Sequence, residues 1–405
     1  MQSNIKYQIF FIGLLTLNNY PIFAIDISQN GTTLSTQQSQ EIDNFINHID
    51  SITTVTKTEL STIEETISCV DILKQPGLSH IPKNTSIQLQ PSSQLAALLP
   101  GKIKPDNTPT SCPDGSIEMK LPTREKIVNS GSLKNFFSKY PKDPMLGMSQ
   151  NIDPSPSFSG HEYAVYTKTI NAIGAQSTIN IWKPTTESSD MSISQLWLAG
   201  GTGYGLQTAE VGYQVLPMKY GDHLPHLFIY YTADGYHSTG CYNLDCGQFI
   251  KTSNILNIGG VLPSSTLSGA QIEGTLAFYR DPATGNWILF FVDSAGNYIQ
   301  SGYYPASTYG SGQLSHYTQF IEFGGEIYAP VPAATSTDMG SGKFSSAGYG
   351  QSAYQRNIKH MDVNNIIQNF MPSSSSVTQP SCYTLTLGTN PSWGSSFYFG
   401  GPGCI

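Results

Sequence analysis

The sequence predicts an all-β fold, an antiparallel β-sandwich preceded by a smaller mixed α+β segment. Three features of the 405 residues carry that expectation. From His161 onward, short aromatic or β-branched runs follow one another: HEYAVYTKT, STINIWKP, SQLWLAGG, EVGYQVLP, HLFIYYTAD, EGTLAFYRD, NWILFFVD, NYIQSGYYP and SFYFGG. Clusters of Gly, Pro, Asn and Asp separate them, and Asp234-Gly235 and Ala295-Gly296-Asn297 are good hairpin turns. Helical periodicity is confined to the front part, so strands do not alternate with helices as a doubly wound α/β fold requires.

Taken in order, residues 1–24 read as a signal peptide. Lys6 supplies a positive start, Ile9–Leu17 an apolar stretch too short to span a bilayer, and Ala24 a small residue for cleavage. No other run reaches the about 18 apolar residues of a membrane span. A polar leader follows. Ser35 and Gln38 form an S-x-x-Q capping signature ahead of Ile42, Phe45, Ile46 and Ile49, which mark one helix face. Leu60, Ile63 and Ile67 repeat the helical spacing, and residues 74–122 are Pro- and Ser-rich and strand-like. A short helix is expected from Ser132 through Phe136 and Phe137. The stretch from Tyr140 to Gly160 holds four prolines and little periodicity, so it reads as an exposed linker. The boundaries drawn are therefore 1–24, 25–150 and 158–405.

Composition narrows the partners. The net charge is -8, from 20 Lys and Arg against 28 Asp and Glu. No basic stripe appears, which argues against a nucleic-acid partner. From Phe158 onward only 14 acidic and 8 basic residues occur, so the front part is close to neutral and the back part carries most of the negative charge. Six cysteines agree with an oxidising compartment and a secreted protein. They fall as local pairs, Cys69 with Cys112, Cys241 with Cys246 and Cys382 with Cys404, and this is the expected pairing. Asn30 and Asn84 each begin an N-x-[ST] sequon.

In a chain so sparing with charge, two glutamates stand out. Glu210 lies in TAEVGYQVLP and Glu326 in QFIEFGGEIYAP, both inside strand-like runs. Two carboxylates brought close in partly apolar surroundings do not both ionise easily, so one is expected to hold a proton. An acid and a base in one cleft are what water-mediated hydrolysis needs. Glu322 lies four positions from Glu326, on the same strand face by alternation. Gln195, Trp197, Tyr213, Gln214 and Tyr231 are candidate cleft residues, the amides and phenols as oxyanion donors and the rings as walls. Other nucleophile systems lack support. No G-x-S-x-G elbow is present, His161-Glu162 has no second histidine for H-E-x-x-H, and nothing gives ground for a metal or organic cofactor.

The run from Ile193 to Gln248 resembles the catalytic domain of neprosin-type glutamic peptidases, as do QFIEFGGEIY, STDMGSGKF, QSAYQRN and FYFGGPG. CVDILKQPGLSHIPKNTSIQLQPSS and CPDGSIEMKLPTREKIVNSGSLKNF resemble that family's pro-segment, so the likeness spans most of residues 60–403. The resemblance implies a sandwich of two large antiparallel sheets with the cleft on a concave face, and Glu210 and Glu326 as the catalytic pair. It also implies that residues 25–150 cover the cleft until acidification and cleavage in the linker release the body. Protein or peptide substrates follow, with the cut after proline known for some family members. Tyr213 stands where a Trp is common in the family. Two other readings stay open at this point: a secreted glycoside hydrolase with paired carboxylates, and a non-catalytic sandwich that binds glycans or peptides on its aromatics.

Overall fold

The computed structural model describes residues 34–60, 66–82, 85–139 and 160–404. The signal segment, Asn30, Asn84 and almost all of the proline-rich linker lie outside the described residues. The front part begins with helix α1 (Thr36–Ile52), which starts where the capping signature predicts. The Ser35 hydroxyl accepts from the Gln38 amide, and the Gln38 side chain accepts from the Ser35 amide. Strands β1 (Val55–Leu60), β2 (Thr66–Asp71) and β3 (Ser116–Met119) then form a small antiparallel sheet. The helical spacing read through Leu60 and Ile67 is thus overturned. Val55, Thr56 and Thr58 on one side and Thr66, Ile67 and Val70 on the other are β-branched, and they pair as strands. Between β2 and β3 the expected strand-like text instead yields short 3₁₀ turns and helix α2 (Ser93–Leu98).

Helices α3 (Arg124–Asn129) and α4 (Leu133–Phe137) close the front part. Thr123 caps the first and Ser132 the second, each hydroxyl accepting from a backbone amide three residues on. Leu34, Ile42, Ile127, Val128 and Phe136 form a small core of their own.

The body is mostly β. Its strands are β4 (His161–Asn180), β5 (Met191–Gly200), β6 (Gln207–Val215), β7 (His226–Thr232), β8 (Cys241–Tyr242) and β9 (Ile250–Lys251), with a single-turn helix α5 (Pro217–Tyr220) between β6 and β7. They continue as β10 (Glu273–Arg280), β11 (Trp287–Val292), β12 (Tyr298–Tyr304) and β13 (Thr318–Tyr328). The last are β14 (Ala353–Asp362), β15 (Ile367–Asn369), β16 (Ser374–Val377), β17 (Thr384–Leu387) and β18 (Phe397–Gly400). All pairings are antiparallel, in one large curled sheet ordered β8-β7-β6-β5-β13-β4-β10-β11-β12-β9, with β14 to β18 attached through β4 and β14. The two predicted runs at its start merge into the single 20-residue strand β4. Its first half pairs with β13 and β16, and its second half with β10 and β14, so this strand joins the two layers.

Alternation decides which side of each strand enters the core. Leu196, Leu198, Val211, Tyr213, Ile229, Ile321 and Phe323 point inward, where they meet Phe278, Trp287, Leu289, Phe397 and Phe399 from the other layer. The opposite face of β5, β6, β7 and β13 is the one the front part covers. There α3 packs on α5 and α4 on β8. Residues of 75–120 run along β9 to β12: Gln75 exchanges bonds with the Lys251 backbone at 2.9 and 2.8 Å, and Asp281 accepts from Gln88 at 2.6 Å and from the Ser92 amide at 2.7 Å. The expected pairs Cys69–Cys112, Cys241–Cys246 and Cys382–Cys404 are all disulfides, one in the front part and two in the body. No helix among the described residues is long and apolar enough to cross a membrane.

Candidate functional site

Three neighbouring strands set the site by register. Opposite Trp197 of β5 stand Glu210 of β6 and Glu322 of β13. Two residues along, Gln195 stands between Gly212 and Gly324. Two further, Ile193 stands between Gln214 and Glu326. Side chains opposite one another in an antiparallel pair share a face. Glu210 and Glu326 therefore project from the same face, diagonally across β5, with Gln195 between them. The flanking glycines are required by close packing. A Cβ on Gly212 would stand 2.1 Å from the Ser194 carbonyl oxygen, and one on Gly324 would stand 2.2 Å from that of Ala164. Neither position puts a side chain over the gap between the carboxylates.

That gap holds Lys139, the residue two beyond the end of α4. Its ammonium lies 2.6 Å from Glu210 Oε2 and 3.0 Å from Glu326 Oε2, with all three side chains fully buried. The two carboxylate oxygens are thus separated by no more than these two contacts end to end. Lys139 also stands 4.4 Å over the Trp197 ring and 3.5 Å from Gln195 Oε1. A buried charge is costly unless it is paired and bonded, and this one meets two carboxylates, an amide and an aromatic face.

Each glutamate has further partners. The Thr208 hydroxyl and the Tyr236 phenol donate to Glu210 Oε1 at 2.8 and 2.9 Å. Tyr236 sits at φ 65° just beyond Gly235, in the left-handed region that a tyrosine rarely adopts. The turn is held by Asp234, whose carboxylate accepts from the amides and hydroxyls of Ser238 and Thr239. The Gln195 amide donates to Glu326 Oε2 at 2.9 Å, and Tyr163 donates to Oε1 at 3.4 Å. His161 Nδ1 lies 2.9 Å from the same Oε1. Burial pushes the Glu326 carboxyl up, but the Lys139 charge and the His161 bond outweigh it and hold the group below its ordinary value. Burial depresses His161, and the Glu326 bond offsets this only in part. In this form, then, Glu326 favours its ionised state, with the Lys139 cation between the pair.

The other candidates divide by face. Gln195 and Trp197 stand in the site. Gln214 shares its face, and its side chain donates to the Tyr220 phenol at 2.9 Å. Tyr213 and Tyr231 lie on the opposite face, in the core, by the same period of two. The Tyr213 hydroxyl donates to the Asn180 carbonyl at 2.7 Å. A tyrosine at that position therefore shapes the sandwich interior and not the cleft. Tyr230, directly opposite Glu210, takes the place that Tyr231 was expected to fill. Glu322 is buried and accepts from Thr167 at 2.6 Å, and Glu273 pairs with Arg356 in the other layer.

Lys139, His161 and Tyr236, like Thr208 and Tyr163, reach the carboxylates without having been singled out in the sequence. Lys139 reaches in from another part of the chain. His161 has as its only local signal the failed H-E-x-x-H pattern, although its place opposite Tyr328 on β4 brings it to Glu326. Tyr236 was hidden in a turn correctly read as a turn. The motif glutamine Gln355 works from behind, donating to the Gln195 backbone carbonyl at 3.1 Å.

Among solved structures, the chain is similar to scytalido-glutamic peptidase with a transition-state analogue inhibitor, at 11% identity and a TM-score of 0.35, over 60% of this chain and 97% of that chain. It is also similar to SCP-B, a member of the eqolisin family of peptidases in complex with the tripeptide Ala-Ile-His, at 10% identity and a TM-score of 0.30, over 60% and 97% of the two chains. At these values the likeness says nothing about the site. The neprosin family model matches residues 188–402, a span that holds β5, β6 and β13 with Gln195, Glu210 and Glu326. By that match over more than half its length, the chain belongs to the neprosin family.

Proposed function

We propose that the chain is the latent form of a secreted glutamic endopeptidase. In this reading Glu210 and Glu326 are the catalytic pair and the front part is an intramolecular inhibitor. The observation that carries it is the convergence of both buried carboxylates on the single ammonium of Lys139. A pair of carboxylates built into one pocket serves acid–base chemistry, and a lysine that fills the pocket from a separate segment serves to stop it. Family membership agrees with a peptidase.

In the released body the shared cation is gone, and two buried carboxylates of like charge retain one proton between them. The ionised member takes a proton from water as the water oxygen bonds to the scissile carbonyl carbon. The protonated member donates to the carbonyl oxygen, and Gln195, set between the two, supplies an amide donor to the same developing charge. Collapse of the tetrahedral intermediate breaks the C–N bond, and a proton passes to the leaving amine. Tyr236 and Thr208 orient Glu210, and His161 and Tyr163 orient Glu326.

The test is incubation of the purified chain at about pH 3–4, near and below ordinary glutamate values, with a protein substrate, followed by mass spectrometry. The expected result is cleavage within residues 140–159, then hydrolysis of the substrate, with both lost in Glu210→Gln and Glu326→Gln. Undiminished hydrolysis by either variant defeats the assignment. The same spectra report whether the cut follows proline.

A further inference from the structure

Beside the carboxylates, the body holds the blocking segment by its backbone. Lys219, the third residue of α5, is buried. Its ammonium lies 2.7 Å from Asp245 Oδ2 and donates to the Phe136 carbonyl oxygen at 3.1 Å. The same ammonium stands 4.0 Å over the Phe136 ring and 4.9 Å over the Tyr242 ring. Three residues on, the Lys139 amide donates to the Tyr230 phenol at 3.3 Å. A cavity at this place is walled on the body side by Met191, Leu216, Met218, Lys219, Tyr242 and Tyr328. Lys219 and Tyr230 thus offer one donor and one acceptor to the main chain of the segment that reaches the glutamates. A salt bridge between Lys219 and Asp245 alone would not need the carbonyl, the ring face and the apolar wall together.

We propose that this cavity is a substrate subsite. It takes an aromatic side chain about three residues from the one at the carboxylate pair, while Lys219 donates to that residue's carbonyl and stacks on its ring. Tyr230 fixes a second backbone group nearer the cut. In the latent form Phe136, whose ring also packs in the front part's own core, and Lys139 close the cavity from the other side, and a peptide takes their place after release. The inference rests on the peptidase reading and names the substrate class for that site. Lys219 is here a positioning residue, since it touches neither glutamate.

The experiment profiles cleavage sites in a denatured protein mixture, using acid-activated wild-type chain, Lys219→Met and Lys219→Arg. Wild type is expected to show Phe, Tyr or Trp enriched about tenfold at a position roughly three residues from the cut, on one side of it. In Lys219→Met the enrichment falls to background while cleavage continues, and Lys219→Arg restores it in part. A flat wild-type profile overturns the subsite and leaves the peptidase reading standing, without need of any variant. Enrichment unchanged in Lys219→Met overturns the role of Lys219. Absence of all cleavage by the wild-type chain removes the peptidase reading and the subsite with it.

Discussion

Glu210 Oε2 and Lys139 Nζ lie 2.6 Å apart in full burial, although 71 positions separate them in the chain. The contact is shared with Glu326, so one cation satisfies two carboxylates. Removing one partner of a buried ion pair leaves an uncompensated charge and costs about 3–5 kcal/mol.

Lys139→Met is therefore expected to loosen the front part rather than the body. Its wall against Trp197 survives, and its charge does not. Peptide hydrolysis followed against pH should begin at a higher pH than in wild type. An unchanged onset would show that Lys139 does not restrain the site.

Acidification acts on Glu326 with a definite sign. Its carboxyl is held below the ordinary 4.5, so its contribution is complete above that value and is lost as pH falls through the lowered one. His161 is depressed below the ordinary 6.5, so the neutral ring is favoured; stability declines as pH falls below 6.5 toward the lowered value. Thermal unfolding of the full chain between pH 7 and 3 should fall in two steps, and His161→Asn should remove the upper one. A single step near ordinary glutamate values in both proteins would contradict this.

Tyr236→Phe removes one donor to Glu210 and keeps the ring. The expected loss in kcat is about tenfold with KM little changed, below the 100-fold or more seen when a direct oxyanion donor is deleted. Steady-state kinetics on a released peptide substrate make the comparison, and a change in KM alone would assign Tyr236 to binding.

Gly324→Ala tests the packing that leaves the gap open. At φ 150° with the Ala164 oxygen 2.2 Å from the added Cβ, the strand must shift. A loss of about 1–3 kcal/mol in stability is expected from overpacking, read as a lowered Tm. An unaltered Tm would show that β13 yields freely there.

Much of the fold was legible because short-range chemistry specifies it. The capping box at Ser35 and Gln38, the alternation along β5 to β7, the Asp234-Gly235 turn and the Cys241–Cys246 pair each depend on near neighbours in sequence or on a period of two. The same alternation, applied strictly from Glu210 along β6, would have put Tyr213 in the core, whereas the choice of Tyr230 over Tyr231 for the site face needs the register between β6 and β7. The helical reading failed at Leu60 and Ile67 because apolar residues at helical spacing say less than the β-branched residues around them.

The sequence by itself pointed to a mostly β body, a front part of different character, local cysteine pairs and two acidic residues worth watching, since composition, periodicity and motif carry these. Only the tertiary structure decided what stands between those acids. Strand register brought Gln195 and His161 to them, the turn beyond β7 brought Tyr236, and docking of the front part put Lys139 in the gap. Register and long-range docking are set by the packing of whole layers, and no local stretch of residues encodes which distant side chain a buried charge will meet.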